Sequence, residues 1–148
     1  MKLIAANKRA SHDYLISLKI DAGIVLTGSE VKSLRENTGS IKESYIQEKN
    51  GELWLLNCFI KKYSSSSEIV NNSVRERKLL ITKKEYNKVR GAIKKEGFSI
   101  VPITLYFNKK GLAKLTFGLG KGKKKFDKRE SEKTKDWNRK KLSLLKNN

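Results

Sequence analysis

The stretch GLGKGKKKFDKRE, Gly118 to Glu130, sets glycines among lysines. That composition suits a loop whose backbone N–H groups cradle phosphates, or a basic arm lying along a nucleic acid. A P-loop needs Gly, four residues, then Gly-Lys and a hydroxyl residue for magnesium. Here Gly118 and Gly122 enclose only three residues and Lys123 is followed by Lys124, so spacing and metal ligand both fail. A dinucleotide fingerprint must open a helix inside a βαβ unit, and these glycines follow an antiparallel strand pattern. His12 is the only histidine and Cys58 the only cysteine, too few for a zinc site. His12 beside Asp13 has the composition of an acid–base pair, but a lone histidine beside a strand more often packs or touches RNA. Cys58 lies in LNCFI with no neighbouring cation to lower its pKa, so it reads as a core thiol. No catalytic residue, metal or cofactor is expected, and ribonuclease chemistry would need groups far apart in sequence.

What remains is charge. The chain carries 34 Lys and Arg against 15 Asp and Glu, a net +19 on 148 residues. Such a molecule repels itself when compact and gains by meeting a polyanion. Nucleic acid releases counterions as basic groups neutralise its phosphates. A membrane is not expected as partner, since there is no apolar run of about 18 residues and no one-sided Trp, Phe and Leu helix. The N-terminal apolar stretch is too short for a signal h-region, which points to the cytoplasm. Tyr14, Tyr45, Tyr63, Tyr106 and Phe107 lie near lysines or arginines, where aromatic faces can stack bases, although core packing accounts for most of them. Phe126 follows three lysines in a segment with nothing to pack on.

The elements that must position these groups are mostly strands. Tyr14 to Ile20 alternates with period two, and Ala22 to Thr27 continues extended past Gly23, where a bulge is allowed. Ser29 is the expected cap of a short helix carrying Val31 and Leu34 and ending near Gly39. SYIQEKNGELWLLN reads as a hairpin turning at Asn50-Gly51. Ser64 to Ser73 is polar and aperiodic. Arg77 to Ile81 leads into a helix with a Thr82/Glu85 capping box and a Gly97 stop. Its apolar stripe is Tyr86, Val89 and Ile93; its lysines and Arg90 suit a solvated face better than direct contact. Two more strands follow, FSIVPITLYF and LAKLTFG, and Pro102 predicts an edge or a bulge in the first. The chain is therefore mainly β, an antiparallel barrel or sandwich of about six strands with two helices inserted. From Gly118 on there are twelve Lys and Arg against four Asp and Glu with few apolar residues, too few to offset an ordering entropy of about 1–2 kcal/mol per residue. A tail disordered when free is expected.

Linked motifs then resemble one family. They are Asn7-Lys8-Arg9-Ala10-Ser11-His12-Asp13-Tyr14, the run Ala22 to Arg35 (AGIVLTGSEVKSLR), Ser44-Tyr45, Asn50-Gly51-Glu52, Arg75 to Leu80 (RERKLL), Val101-Pro102 with Leu105-Tyr106-Phe107, and Gly122-Lys123-Lys124 before Asp127-Lys128-Arg129. In order and cover the chain resembles the SsrA-binding proteins, small protein B, of bacterial trans-translation. The resemblance implies a closed, OB-like β-barrel over residues 1–120 with two or three flanking helices, and a basic tail over 121–148 that becomes helical on the ribosome. It implies binding to the tRNA-like domain of transfer-messenger RNA (tmRNA) and its delivery to stalled ribosomes, with no reaction catalysed and no DNA partner. A generic basic ribosomal or RNA-coating protein is the alternative that charge alone allows. The implied RNA-facing residues are Asn7, Lys8, Arg9, Asp21, Arg77, Lys78, Leu80 and Lys114. Asp21 stands where Glu is commoner in the family, one methylene shorter. In the tail the resemblance implies that Gly122, Lys123, Lys124, Phe126, Asp127, Lys128 and Arg129 enter the decoding region of the small subunit, with Trp137 on the helix beyond, in the empty message channel.

Overall fold

The computed structural model describes residues 1–63, 73–95 and 97–123. In chain order the elements are β1 (Lys2–Ala6), α1 (Ala10–Asp13), β2 (Tyr14–Ile24), α2 (Gly28–Arg35), β3 (Gly39–Ser40), β4 (Tyr45–Lys49), β5 (Glu52–Leu56), β6 (Phe59–Ile60), β7 (Arg77–Leu80), α3 (Lys83–Ile93), β8 (Phe98–Phe107) and β9 (Ala113–Gly122). Seven strands form one antiparallel sheet in the order β1-β8-β9-β2-β7-β5-β4, and β3 pairs with β6. The described residues are mainly β, as the periodicity predicts, with three helices where it predicts two, the short α1 being the addition. A closed barrel is not formed by ladders among the described residues: β1 and β4 end the hydrogen-bonded order, and β4 approaches β8 without pairing to it.

One face of the sheet makes the core. Ile20, Ala22 and Ile24 of β2 bury with Leu53, Leu55, Leu79, Leu105, Phe107, Leu115, Phe117 and Leu119, and α2 and α3 contribute Leu34 and Val89. The period-two strands deliver this alternation, so the intervening residues face outward. The hairpin turns as its sequence demands: Lys49 pairs with Glu52, and Asn50 and Gly51 hold φ of 51° and 81°, the left-handed pair of a type I′ turn. Thr82 and Glu85 close their capping box, but α3 ends at Ile93 with Lys94 as its cap, ahead of Gly97, which holds φ 79° just before β8.

Several elements depart from expectation. The cap of α2 is Thr27, not Ser29, because Thr27 and Glu30 have the reciprocal spacing that closes a capping box. β1 was not anticipated, five residues being too few to establish a period. The irregularity in β2 falls between Ile16 and Leu18 rather than at Gly23, and there the Ser17 hydroxyl donates to the Leu119 carbonyl. Pro102 is bulged but not at an edge: the β8–β9 register shifts between Pro102 and Thr104, and β8 lies between β1 and β9.

Two glycines of the opening stretch, Gly118 and Gly120, have a packing role. β9 runs four residues past Gly118, pairing Gly120 with Ile16 and Gly122 with Tyr14. A Cβ on Gly120 would stand 2.8 Å from the Leu15 carbonyl oxygen, and one on Gly118 2.8 Å from Ile16 Cγ2. Glycine here lets two strands and the side chains beneath them close together.

Candidate nucleic-acid interface

The ladder register assembles the site on the outer face. Tyr106 pairs with Lys114, Lys114 with Gly23, and Gly23 with Leu80, a single row across β8, β9, β2 and β7. Leu3 of β1 extends it beside Tyr106, and Glu52 of β5 stands one position beyond the Leu53–Leu79 pair. Directly paired residues share a face at about 5 Å spacing, so Lys114 and Leu80 lie about 10 Å apart across the saddle of Gly23. A Cβ on Gly23 would come within 3.3 Å of Leu80 Cβ, which is why the saddle stays low.

Around the saddle runs a groove of about 410 Å³, lined by Gly23, Leu26, Val31, Arg35, Leu112 and Lys114 among others. Leu80 and Leu112 on its rim are large apolar side chains 52% and 56% exposed. The Lys114 ammonium makes no hydrogen bond or ion pair among the described residues, and Arg35 supplies a second cation. An apolar floor with two cations fits a nucleotide: ribose or base face against Leu80, phosphate against Lys114. Asp21 sits on the neighbouring row, where its Oδ1 accepts from the Thr116 hydroxyl at 2.5 Å. Burial, then the charge and hydrogen bond of Asp21, push the Tyr106 hydroxyl pKa up, so the phenol stays neutral beside Lys114. On the far side of Leu80 lies a second groove of about 320 Å³, where Lys78 Nζ donates to Glu52 Oε1 at 3.0 Å.

Not every expected residue joins this face. Asn7, Lys8 and Arg9 lie near the opposite end of the β2–β9 ribbon, where a groove of about 510 Å³ is lined by Lys8, Tyr14, Lys19 and Lys123. Lys123 lies nine positions along the chain from Lys114, about 30 Å at the rise of a strand. Asn7 Nδ2 donates to the Pro102 carbonyl at 3.1 Å and its Oδ1 accepts from the Arg9 amide, so this side chain also shapes the turn into α1. Lys8 and Arg9 are exposed. Gly122 closes β9, its amide bonding to the Gly97 carbonyl, and the Lys123 amide bonds to the Asp13 carbonyl. Lys124, Phe126, Asp127, Lys128, Arg129 and Trp137 lie outside the described residues, as does the expected order or disorder of the tail.

Arg77 requires a correction. Far from facing RNA, its side chain is fully buried. Nε donates to Glu30 Oε2 at 2.6 Å, Nη1 to the carbonyls of Cys58 (2.6 Å) and Arg75 (3.2 Å), and Nη2 to the Ser73 carbonyl at 3.3 Å. Glu30 also takes Arg75 and the Thr27 amide, which ties the start of α2 to β7. Burial pushes the Glu30 carboxyl up, but the hydrogen bonds from Arg75, Thr27 and Arg77 outweigh it and hold its pKa below the ordinary value. Cys58, beneath this network, has its thiol pushed up by burial to about 11, as a core thiol should. The residues sequence reasoning missed are Glu30, hidden in the Ala22 to Arg35 run, and Arg35, Leu112 and Glu52, whose part in the face follows from strand register and loop placement alone.

Comparisons with known proteins point to one family. The family model described as SmpB protein matches residues 4–147. An SsrA-binding protein of Ehrlichia canis (strain Jake) is 51% identical over 148 residues, covering 100% of both chains. One of Sinorhizobium fredii (strain NBRC 101917 / NGR234) is 48% identical over 145 residues, 98% of this chain and 91% of its own. A solved structure described as "tmRNA-SmpB: a journey to the center of the bacterial ribosome" superposes with a TM-score of 0.66 at 39% identity, covering 84% of this chain and 91% of that one.

Proposed function

The chain belongs to the SmpB family, and on that premise we propose that it binds tmRNA through the tRNA-like domain and carries it to stalled bacterial ribosomes in trans-translation. The observation that carries this reading is the row Tyr106, Lys114, Gly23, Leu80, a saddle with a cation unpaired among the described residues on one side and an exposed leucine on the other. It suits a folded RNA that presents a nucleoside face and a phosphate about 10 Å apart, where a featureless basic surface would take phosphates alone. Asp21, with one oxygen held by Thr116, offers an acceptor to a ribose hydroxyl or base amine on the same face. The protein makes and breaks no covalent bond in this reading. It positions RNA.

The finer features belong to the same proposal. The sheet curls into an OB-like barrel whose seam between β4 and β8 closes through side chains instead of a ladder. Residues 1–123, which take in the whole of β9, are the RNA-binding body and 124–148 the arm, three residues later than the boundary at 120 that the resemblance implies. Lys8, Arg9 and Lys123 sit where the chain leaves the body, and from there Lys124, Phe126, Asp127, Lys128, Arg129 and Trp137 meet the decoding region and message channel of the ribosome. The protein works in the cytoplasm, where ribosomes are.

Competition tests the central reading. A labelled tRNA-like-domain fragment of tmRNA is bound at moderate salt and challenged with unlabelled fragment or bulk tRNA. The fragment should displace at least 100-fold more effectively. Equal displacement by bulk tRNA would leave only a generic RNA-coating protein.

A further inference from the structure

Three carboxylates, Glu48, Glu52 and Glu76, stand where the β4–β5 hairpin meets β7, on an otherwise basic protein, and two of them are committed internally. Glu48 Oε1 accepts from the Tyr86 hydroxyl and the Gly51 amide. Both Glu76 oxygens take Lys49 Nζ at 2.8 Å. Glu52 differs in its partner and its place: Oε1 takes only the Lys78 ammonium, at 3.0 Å, Oε2, like that of Glu48, accepts nothing among the described residues, and the side chain is 42% exposed. It continues the row of Lys114, Gly23 and Leu80 and lines the groove on the far side of Leu80 with Gly51, Lys78, Lys83 and Tyr86.

An exposed ion pair of this kind contributes about 0–1 kcal/mol to folding, so stability does not account for a carboxylate at this point. Its electrostatic effect does. Lys78 and Lys83 alone would make the groove a phosphate site open to any RNA. Glu52 neutralises one of them and repels a phosphodiester. Its remaining oxygen accepts only from a donor: a ribose 2′-hydroxyl, an exocyclic amine or a base N–H.

Resting on the RNA-binding reading above, we infer that Glu52 is a specificity-determining residue: it engages Lys78 and admits a nucleoside edge, not a phosphate, to the groove beside Leu80. Discrimination then comes from penalising the wrong RNA as much as from rewarding the right one.

The test is Glu52→Gln in the full chain, which keeps size and hydrogen-bonding capacity but removes the charge and releases Lys78. Affinities for a tRNA-like-domain fragment and for bulk tRNA are measured across a salt series. For bulk tRNA, affinity should rise three- to tenfold and the slope of log affinity against log salt should steepen by about 0.7–0.9, one added phosphate contact. The fragment should gain less, so the ratio of affinities contracts at least threefold. Adding Lys78→Met to Glu52→Gln should return the bulk tRNA slope to its wild-type value. An unchanged ratio or slope in a wild-type background that does discriminate overturns this inference alone. A wild-type chain that binds both RNAs equally overturns the functional reading instead.

Discussion

Replacing one or the other member of the Glu30–Arg77 pair separates a structural arginine from an RNA contact, and the two replacements are not equivalent. Glu30→Gln leaves Arg77, fully buried, without its counter-charge. Breaking a buried pair this way costs about 3–5 kcal/mol. Arg77→Met leaves Glu30 still held by Arg75 and by the Thr27 amide. That loss is about 1–3 kcal/mol, from lost hydrogen bonds to the Cys58 and Ser73 carbonyls. Urea titrations should therefore rank wild type above Arg77→Met above Glu30→Gln. A Glu30 pKa lowered by folding stabilises fully above the ordinary carboxylate value and ceases to do so as pH falls through the lowered one. The gap between wild type and Glu30→Gln should thus hold from pH 6 to 8 and shrink below about pH 4.3. At temperatures where it is folded, Arg77→Met should bind RNA with an unchanged salt slope. A slope reduced by about 0.7–0.9, or a stability loss exceeding that of Glu30→Gln, would refute this reasoning.

Three further outcomes are expected. Gly120→Ala should destabilise by about 1–3 kcal/mol in urea, because its methyl meets the Leu15 carbonyl oxygen, whereas Gly118→Ala should cost less because isoleucine side chains can turn away. The native Cys58 thiol, with its pKa near 11, should resist iodoacetamide at pH 8 and react on unfolding in urea; rapid native labelling would place it nearer the surface. Deleting residues 124–148 should leave affinity for the tRNA-like fragment within about twofold while abolishing peptide tagging on stalled ribosomes, and a parallel loss of affinity would contradict the division between body and arm.

Much of this architecture is local and therefore legible. Alternating Tyr14 to Ile20, the Asn50-Gly51 turn and the Thr82/Glu85 box each obey a rule confined to a few neighbours. The Thr27 cap was equally local, but Ser29 competed for it, and only the reciprocal bond with Glu30 decides between them. What escaped the sequence depends on register. Lys114, Gly23 and Leu80 are distant in the chain, and only strand pairing shows that they form a row. Arg77 misled for a physical reason: a cation in a basic motif suggests RNA, yet the partner that draws it inward, Glu30, lies 47 residues away. Lys114 differs, having no partner among the described residues to draw it inward.

The most direct test places a photo-crosslinking phenylalanine analogue at position 80, and separately at position 59 on β6, in the full chain bound to intact tmRNA. Position 80 should crosslink within the tRNA-like domain, and Lys114→Ala in the same background should lower the yield with a loss of about 1–3 kcal/mol in affinity. Crosslinks from position 59 alone, or from position 80 spread evenly along the RNA, would contradict the assignment of this face.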